Sequence, residues 1–188
     1  MLVKSTSDWV RLEVRQEQEK RAQALRAERD ARYSNIFAQS ATDVRWVGDL
    51  GELVLDEWMR ESGVNRVQWQ TDDAAGKADF VSSSGVSVGA KTVKRQQAPR
   101  LDYTAQITAR HAKEPSDWFF FMNYSLDRRT LWLLGAIEST RFLAEATYYG
   151  AGDRVHENYV IRPGHEIWNL DLTRLYPPRD WLHWMRQA

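Results

Sequence analysis

The stretch Lys77-Ala78-Asp79-Phe80-Val81-Ser82-Ser83-Ser84-Gly85-Val86-Ser87-Val88-Gly89-Ala90-Lys91-Thr92-Val93 decides the fold. Two runs of β-forming residues flank Ser83-Ser84-Gly85, the pattern of a three-residue hairpin loop with glycine at its left-handed last position. In that register Ser82 faces Val86, and Asp79 falls opposite Gly89 and diagonally beside Lys91. Opposed residues share a face of a sheet, so the hairpin brings a carboxylate and an ammonium together. A two-residue loop would slip the pairing by one residue and send Asp79 to the wrong side. Val86, Val88 and Ala90 occupy the other face and read as core.

Working back from the hairpin, Thr71-Asp72-Asp73-Ala74-Ala75-Gly76 reads as a loop and Val64 to Gln70 as a strand. Before them a helix is expected from about Ala41 to Ser62, ending at Gly63, with Trp46, Leu50, Leu53, Val54 and Trp58 on the face that packs on a sheet. Gly48 and Gly51 each cost that helix up to about 1 kcal/mol against alanine, which close approach to another backbone would explain. Glu52 follows Gly48 by one helical turn and leans over a position without a side chain, so it is a candidate inward-pointing acid.

Earlier still, Ser7 to about Arg32 reads as a charged helix, with Ser5 or Ser7 as its cap, Asp8 in its first turn and Glu17–Arg21 and Glu28–Arg32 pairs along it. Its apolar stripe of Trp9, Val10, Val14 and Leu25 is thin, so residues 1–40 are expected to be a helical arm. A homodimer contact or a flank for nucleic acid are the uses such an arm would have, against that of a merely solvated helix. Residues 41–188 are expected to form the α/β domain.

Beyond the hairpin, Asp102 to Lys113 reads as helical, and Trp118–Asn123 and Thr130–Ile137 as two buried strands joined by the Asp127-Arg128-Arg129 turn. Glu138–Ala146 suits a short helix and Tyr159–Arg162 a last strand, while Pro177-Pro178 introduces a terminal helix. The order of helix, three strands, helix and strand predicts a mixed α/β sheet flanked by helices.

Composition limits the chemistry. Of 188 residues none is cysteine, so a metal must be held by oxygen or histidine, which favours Mg²⁺ or Mn²⁺. His111, His156, His165 and His183 lack the spacing of a helical zinc pair. No apolar run approaches the length of a membrane span, and Met1-Leu2-Val3-Lys4 has no apolar core behind it, so no membrane partner and a cytoplasmic location are expected. The net charge of zero argues against nonspecific coating of nucleic acid. It leaves room for a local groove: no acid lies between Asp79 and Asp102, where Lys91, Lys94, Arg95 and Arg100 give a local charge of +4, and Arg110 follows. Trp69, Trp181 and Trp184 are the tryptophans considered for base stacking.

An acid from a helix (Glu52), an acid from one strand (Asp79) and a lysine from the next (Lys91) resemble the PD-(D/E)XK nuclease superfamily. The resemblance spans roughly residues 46–134, and Gly48-Asp49-Leu50-Gly51-Glu52 resembles a glycine-glutamate segment that recurs on the first helix there. It implies a restriction-endonuclease-like fold and a metal-dependent endonuclease acting on DNA. Asp79, the Ala90 carbonyl and Glu52 would hold Mg²⁺ or Mn²⁺, Lys91 would orient the attacking water, and Lys94, Arg95, Arg100 and Arg110 would contact DNA. The pattern departs from the family at Gly89, where the strand acid is expected; Asp72 and Asp73 are alternative stand-ins. Two other readings follow from that gap: a nuclease-fold protein that binds nucleic acid without catalysis, and a structural or regulatory protein in which Asp79 and Lys91 are only a cross-strand ion pair, worth roughly 0.2–1 kcal/mol.

Overall fold

The computed structural model describes residues 1–33, 44–71, 77–157 and 159–188. The hairpin of the opening stretch forms in the expected register. Strand β3 (Phe80–Ser82) pairs antiparallel with β4 (Ser87–Arg95) through Phe80–Val88 and Val81–Ser87, Ser82 N–H donates to the Val86 carbonyl, and Gly85 takes φ +91°. Continued by one residue, this ladder sets Asp79 opposite Gly89.

Around it lies a six-stranded mixed sheet. β2 (Val67–Trp69) extends it beyond β3, and on the other side β4 runs parallel to β6 (Trp118–Ser125), followed by antiparallel β7 (Thr130–Glu138) and β1 (Val10–Glu13). The spatial order is β1-β7-β6-β4-β3-β2. A parallel neighbour for β4 needs a crossover, and the chain between β4 and β6 supplies one.

Side chains alternate across β4 and build two cores. Val88 packs with Phe80, Phe120 and the apolar face of α2 (Trp46–Glu61), together with Ala22 of α1 (Gln16–Tyr33) and Trp181 of α4 (Pro178–Met185). On the opposite face Phe119 and Phe121 pack with Phe142 of α3 (Ser139–Glu145) and with a second sheet, β5-β11-β8 (Thr104–Thr108, Ile167–Asp171, Thr147–Tyr149). A small hairpin, β9 (Arg154–His156) with β10 (Tyr159–Val160), completes the strands.

Tyr159–Arg162 does not end the strands, since β10 stops at Val160 and β11 follows it, and two larger sequence expectations fail here. The helix from Ser7 to Arg32 is instead a 3₁₀ turn (Thr6–Asp8), strand β1 and helix α1. Far from projecting, these residues close one edge of the main sheet and cover α2: Val10, Val14 and Ala22 are buried, and Glu19 is bonded to Tyr124 and to Arg129. Gln18, Arg26 and Arg29 share the packing face of α1 with Ala22, which an apolar stripe does not reveal. The second failure is Asp102–Lys113, which forms β5 and a 3₁₀ turn (His111–Lys113) rather than a helix. Thr104-Ala105-Gln106-Ile107-Thr108 alternates buried and part-exposed residues, the period of a strand. Helix α2 begins within the expected span, and its positions 41–43 lie outside the described residues. Gly63 ends it at φ +83°.

Of the two helical glycines, Gly51 alone is explained by close approach. A methyl there would collide with Thr92 Oγ1 of β4, whereas nothing lies within 4 Å of the corresponding position at Gly48.

Candidate active site

Asp79 stands immediately before β3, where its Oδ2 accepts a 2.7 Å hydrogen bond from the Ala90 N–H on β4. Lys91, the next residue of β4, shares the Gly89 face: a Cβ built on Gly89 would lie 3.4 Å from Lys91 Cε and 3.3 Å from Phe119. The hairpin therefore brings Asp79 and Lys91 to one region, as its register requires. The nearest partner of Lys91 is nonetheless another acid. Its Nζ donates to Glu114 Oε2 at 2.9 Å, with 13% and 11% of the two side chains exposed. Glu114 follows the 3₁₀ turn before β6, and nothing in the sequence period flagged it, because the contact depends on how the crossover returns.

Glu52 is buried on α2, as expected of an inward acid. It is also heavily engaged: its Oε2 accepts from Arg29 Nη2 at 3.0 Å and from Trp69 Nε1 at 2.9 Å. Arg29 further donates to Asp49 Oδ1 at 2.6 Å, while Arg26 Nε holds Asp49 Oδ2 at 2.6 Å. Helix α1 thus inserts two guanidinium groups against two buried carboxylates spaced three residues apart on α2. Arg matches such sites because its planar fork satisfies several acceptors at once.

Among the described residues, the carboxylates of Asp49, Glu52, Asp79 and Glu114 crowd together with Arg26, Arg29 and Lys91. Burial, with the charge of Glu52 added to it, pushes the Asp79 carboxyl up to about 7, against the lowering influence of Lys91 and the Ala90 N–H. Asp49 is raised to about 6, by burial first and by Glu52 second. Lys91 is raised despite burial, because Asp79 and Glu114 favour its charged form. His111, whose Nε2 is 3.8 Å from Glu114, is lowered by burial and by Lys91, which keeps it neutral near pH 7.

Carboxylate oxygens are the hard donors that a divalent cation takes. Among the described residues no three His, Asp or Glu side chains stand close enough to hold an ion between them. A bound ion would therefore rest on one or two carboxylates, the Ala90 carbonyl and water. Asp72 and Asp73 lie outside the described residues.

The expected DNA-contacting cations divide. Arg100 forms a fork with Asp102 at 2.9 and 2.6 Å, and Lys91 is held by Glu114. Arg95 sits 4.4 Å above the Tyr103 ring, and Lys94 and Arg110 are exposed. Of the tryptophans considered for base stacking, Trp181 is fully buried against Phe120, and Trp69 is bound to Glu52. Trp184 is 38% exposed and packs on Trp118 and Tyr176. No helix among the described residues is long and apolar enough to cross a membrane. The chain matches no protein-family model, and a search of the curated proteins returns no match.

Proposed function

We propose that this chain is a Mg²⁺- or Mn²⁺-dependent endodeoxyribonuclease of the PD-(D/E)XK type, with a restriction-endonuclease-like core. The observation that carries the reading is the meeting of Asp79 and Lys91 on one sheet face, with Glu52 from the preceding helix near enough to raise the Asp79 carboxyl. The order of elements agrees with it: α2, then β2, β3 and β4, then β6 alongside β4, with the acid at the second of these strands and the lysine on the third.

A bound divalent cation supplies charge neutralisation at the phosphate and a more acidic water. The protein's own residues do the rest. Asp79 offers a carboxylate whose proton is weakly enough held near neutrality to be displaced by a cation. Lys91 places a fixed positive charge where negative charge grows on the phosphate oxygens, and its N–H groups can orient the attacking water. Glu52, clamped by Arg29 and Trp69, keeps the region negative without having to move. Lys94, Arg95, Arg100 and Arg110 lie on or after the strand that carries Lys91 and are the cations proposed to meet the DNA backbone.

A second reading has its own support. Gly89 removes one acid and Arg29 occupies Glu52, so a nuclease-fold protein that binds nucleic acid without cutting it is the alternative. Calorimetric titration of Mn²⁺ separates the two. The nuclease reading expects binding to the wild type that Asp79→Ala abolishes, together with uptake that strengthens from about pH 6 to pH 8 as Asp79 loses its proton. No heat at millimolar Mn²⁺ would favour the binder.

A further inference from the structure

We propose that Glu114 is the positioning residue for Lys91, taking over the part of the acid that β4 lacks at Gly89; this rests on the nuclease reading above. An acid on the strand two residues before a lysine shares its face and can hold it. Here that place is tight: a Cβ on Gly89 would lie 3.0 Å from Ser116 Oγ and 3.3 Å from Phe119, so a side chain there requires Ser116, just before β6, and Phe119, within it, to give by a few tenths of an ångström. The segment leading into β6 carries Glu114, whose Oε2 receives the Lys91 ammonium at 2.9 Å. The carboxylate has in effect been moved from the strand to the crossover that packs against it.

The hydrogen-bonding pattern distinguishes Glu114 from Asp79 as the group that aims Lys91. Asp79 Oδ2 is committed to the Ala90 N–H, whereas the Glu114 contact is a direct, largely buried ion pair. Removing one member of such a pair strands the other in a desolvated place. An ammonium has three donors, so holding Glu114 and touching a substrate oxygen are compatible. His111 faces Glu114 from the same turn, Phe119 lies beneath Lys91 with its ring centroid 6.0 Å from Nζ, and the carboxylates that favour the ammonium among the described residues are Asp79, Glu114 and Glu52.

The test is a double-mutant cycle on steady-state DNA cleavage by the full chain. Glu114→Gln keeps the shape and removes the charge. It should lower kcat on the order of 100-fold, the size seen when one preorganised charge is lost, while KM changes less than about two-fold. In the Lys91→Ala background the same substitution should cost less than about two-fold, because Glu114 acts through Lys91. An unchanged kcat in Glu114→Gln, or an equal loss in both backgrounds, overturns the proposal. A second measurement does not depend on cleavage: the ¹⁵Nζ signal of Lys91 in metal-free protein. A slowly exchanging ammonium that is lost in Glu114→Gln supports the pairing even if the wild type cuts nothing, which would sink the nuclease reading alone. A rapidly exchanging Lys91 ammonium in the wild type overturns the proposal whatever the activity.

Discussion

Replacing Arg29 by methionine tests whether helix α1 belongs to the body of the protein. The substitution keeps the apolar stem and removes the guanidinium that bonds Asp49 at 2.6 Å and Glu52 at 3.0 Å. Arg29 is only 14% exposed and its two acids 0% and 9%, so water cannot replace it without opening the helix pair. Breaking a buried pair from one side costs about 3–5 kcal/mol. An unfolding entropy of about 2.1 cal/mol/K per residue makes this roughly 10 °C in Tm for a chain of this length. The loss should shrink between about pH 7.5 and pH 5. Asp49 has a folded carboxyl near 6, above its ordinary 3.8, so its ionisation costs native stability as pH rises through that range, and Arg29 offsets the cost. Adding Asp49→Asn to the methionine variant should recover part of the loss by removing an uncompensated charge. Urea and thermal denaturation measure all three. A penalty below about 1 kcal/mol, typical of an exposed pair, would refute the reasoning.

Other expectations follow from the same contacts. Deleting residues 1–33 should leave a chain without a cooperative melt, because it removes β1 and the guanidinium groups of Arg26 and Arg29 that pair with buried carboxylates of α2; a folded remnant would show that α1 is dispensable. Asp79→Asn should raise Tm in metal-free buffer, and more at about pH 8 than at pH 5. The folded carboxyl sits near 7 against an ordinary 3.8, so its contribution to stability is present at low pH and lost as pH rises through about 7; a lower Tm at pH 8 would count against a crowded Asp79. Gly48→Ala should stabilise by up to about 1 kcal/mol through helix propensity, while Gly51→Ala should destabilise by about 1–3 kcal/mol through its collision with Thr92; the same sign for both in urea melts would contradict the packing of α2 on β4.

What the sequence revealed and what it hid divide along the range of the forces involved. The hairpin was legible because its turn and register are local: Gly85 at positive φ fixes the loop, and the two-residue side-chain period does the rest. The buried strands β6 and β7 were legible as apolar runs. Helix α1 was misread because its packed side carries Gln18, Arg26 and Arg29 beside a single small apolar residue, Ala22, and polar residues count as solvent-facing in any hydrophobic pattern. Its companion β1 was hidden in the same polar run, although Val10-Arg11-Leu12-Glu13 alternates as a strand does. The hairpin register that brings Asp79 toward Lys91, and the inward side of α2 that buries Glu52, were legible from pattern. The partners that set their charge, Arg29 and Glu114, come from elements 20 or more residues away and needed the tertiary fold.

Nicking of supercoiled plasmid DNA by the purified chain is the most direct test of the proposed activity. With Mg²⁺ or Mn²⁺ the wild type should nick, EDTA should stop it, Asp79→Asn should abolish it, and Lys91→Ala should remove most of it with the fold intact. Undiminished cleavage in EDTA, or cleavage untouched by both substitutions, would contradict the assignment of Asp79 and Lys91 as the centre of a metal-dependent nuclease.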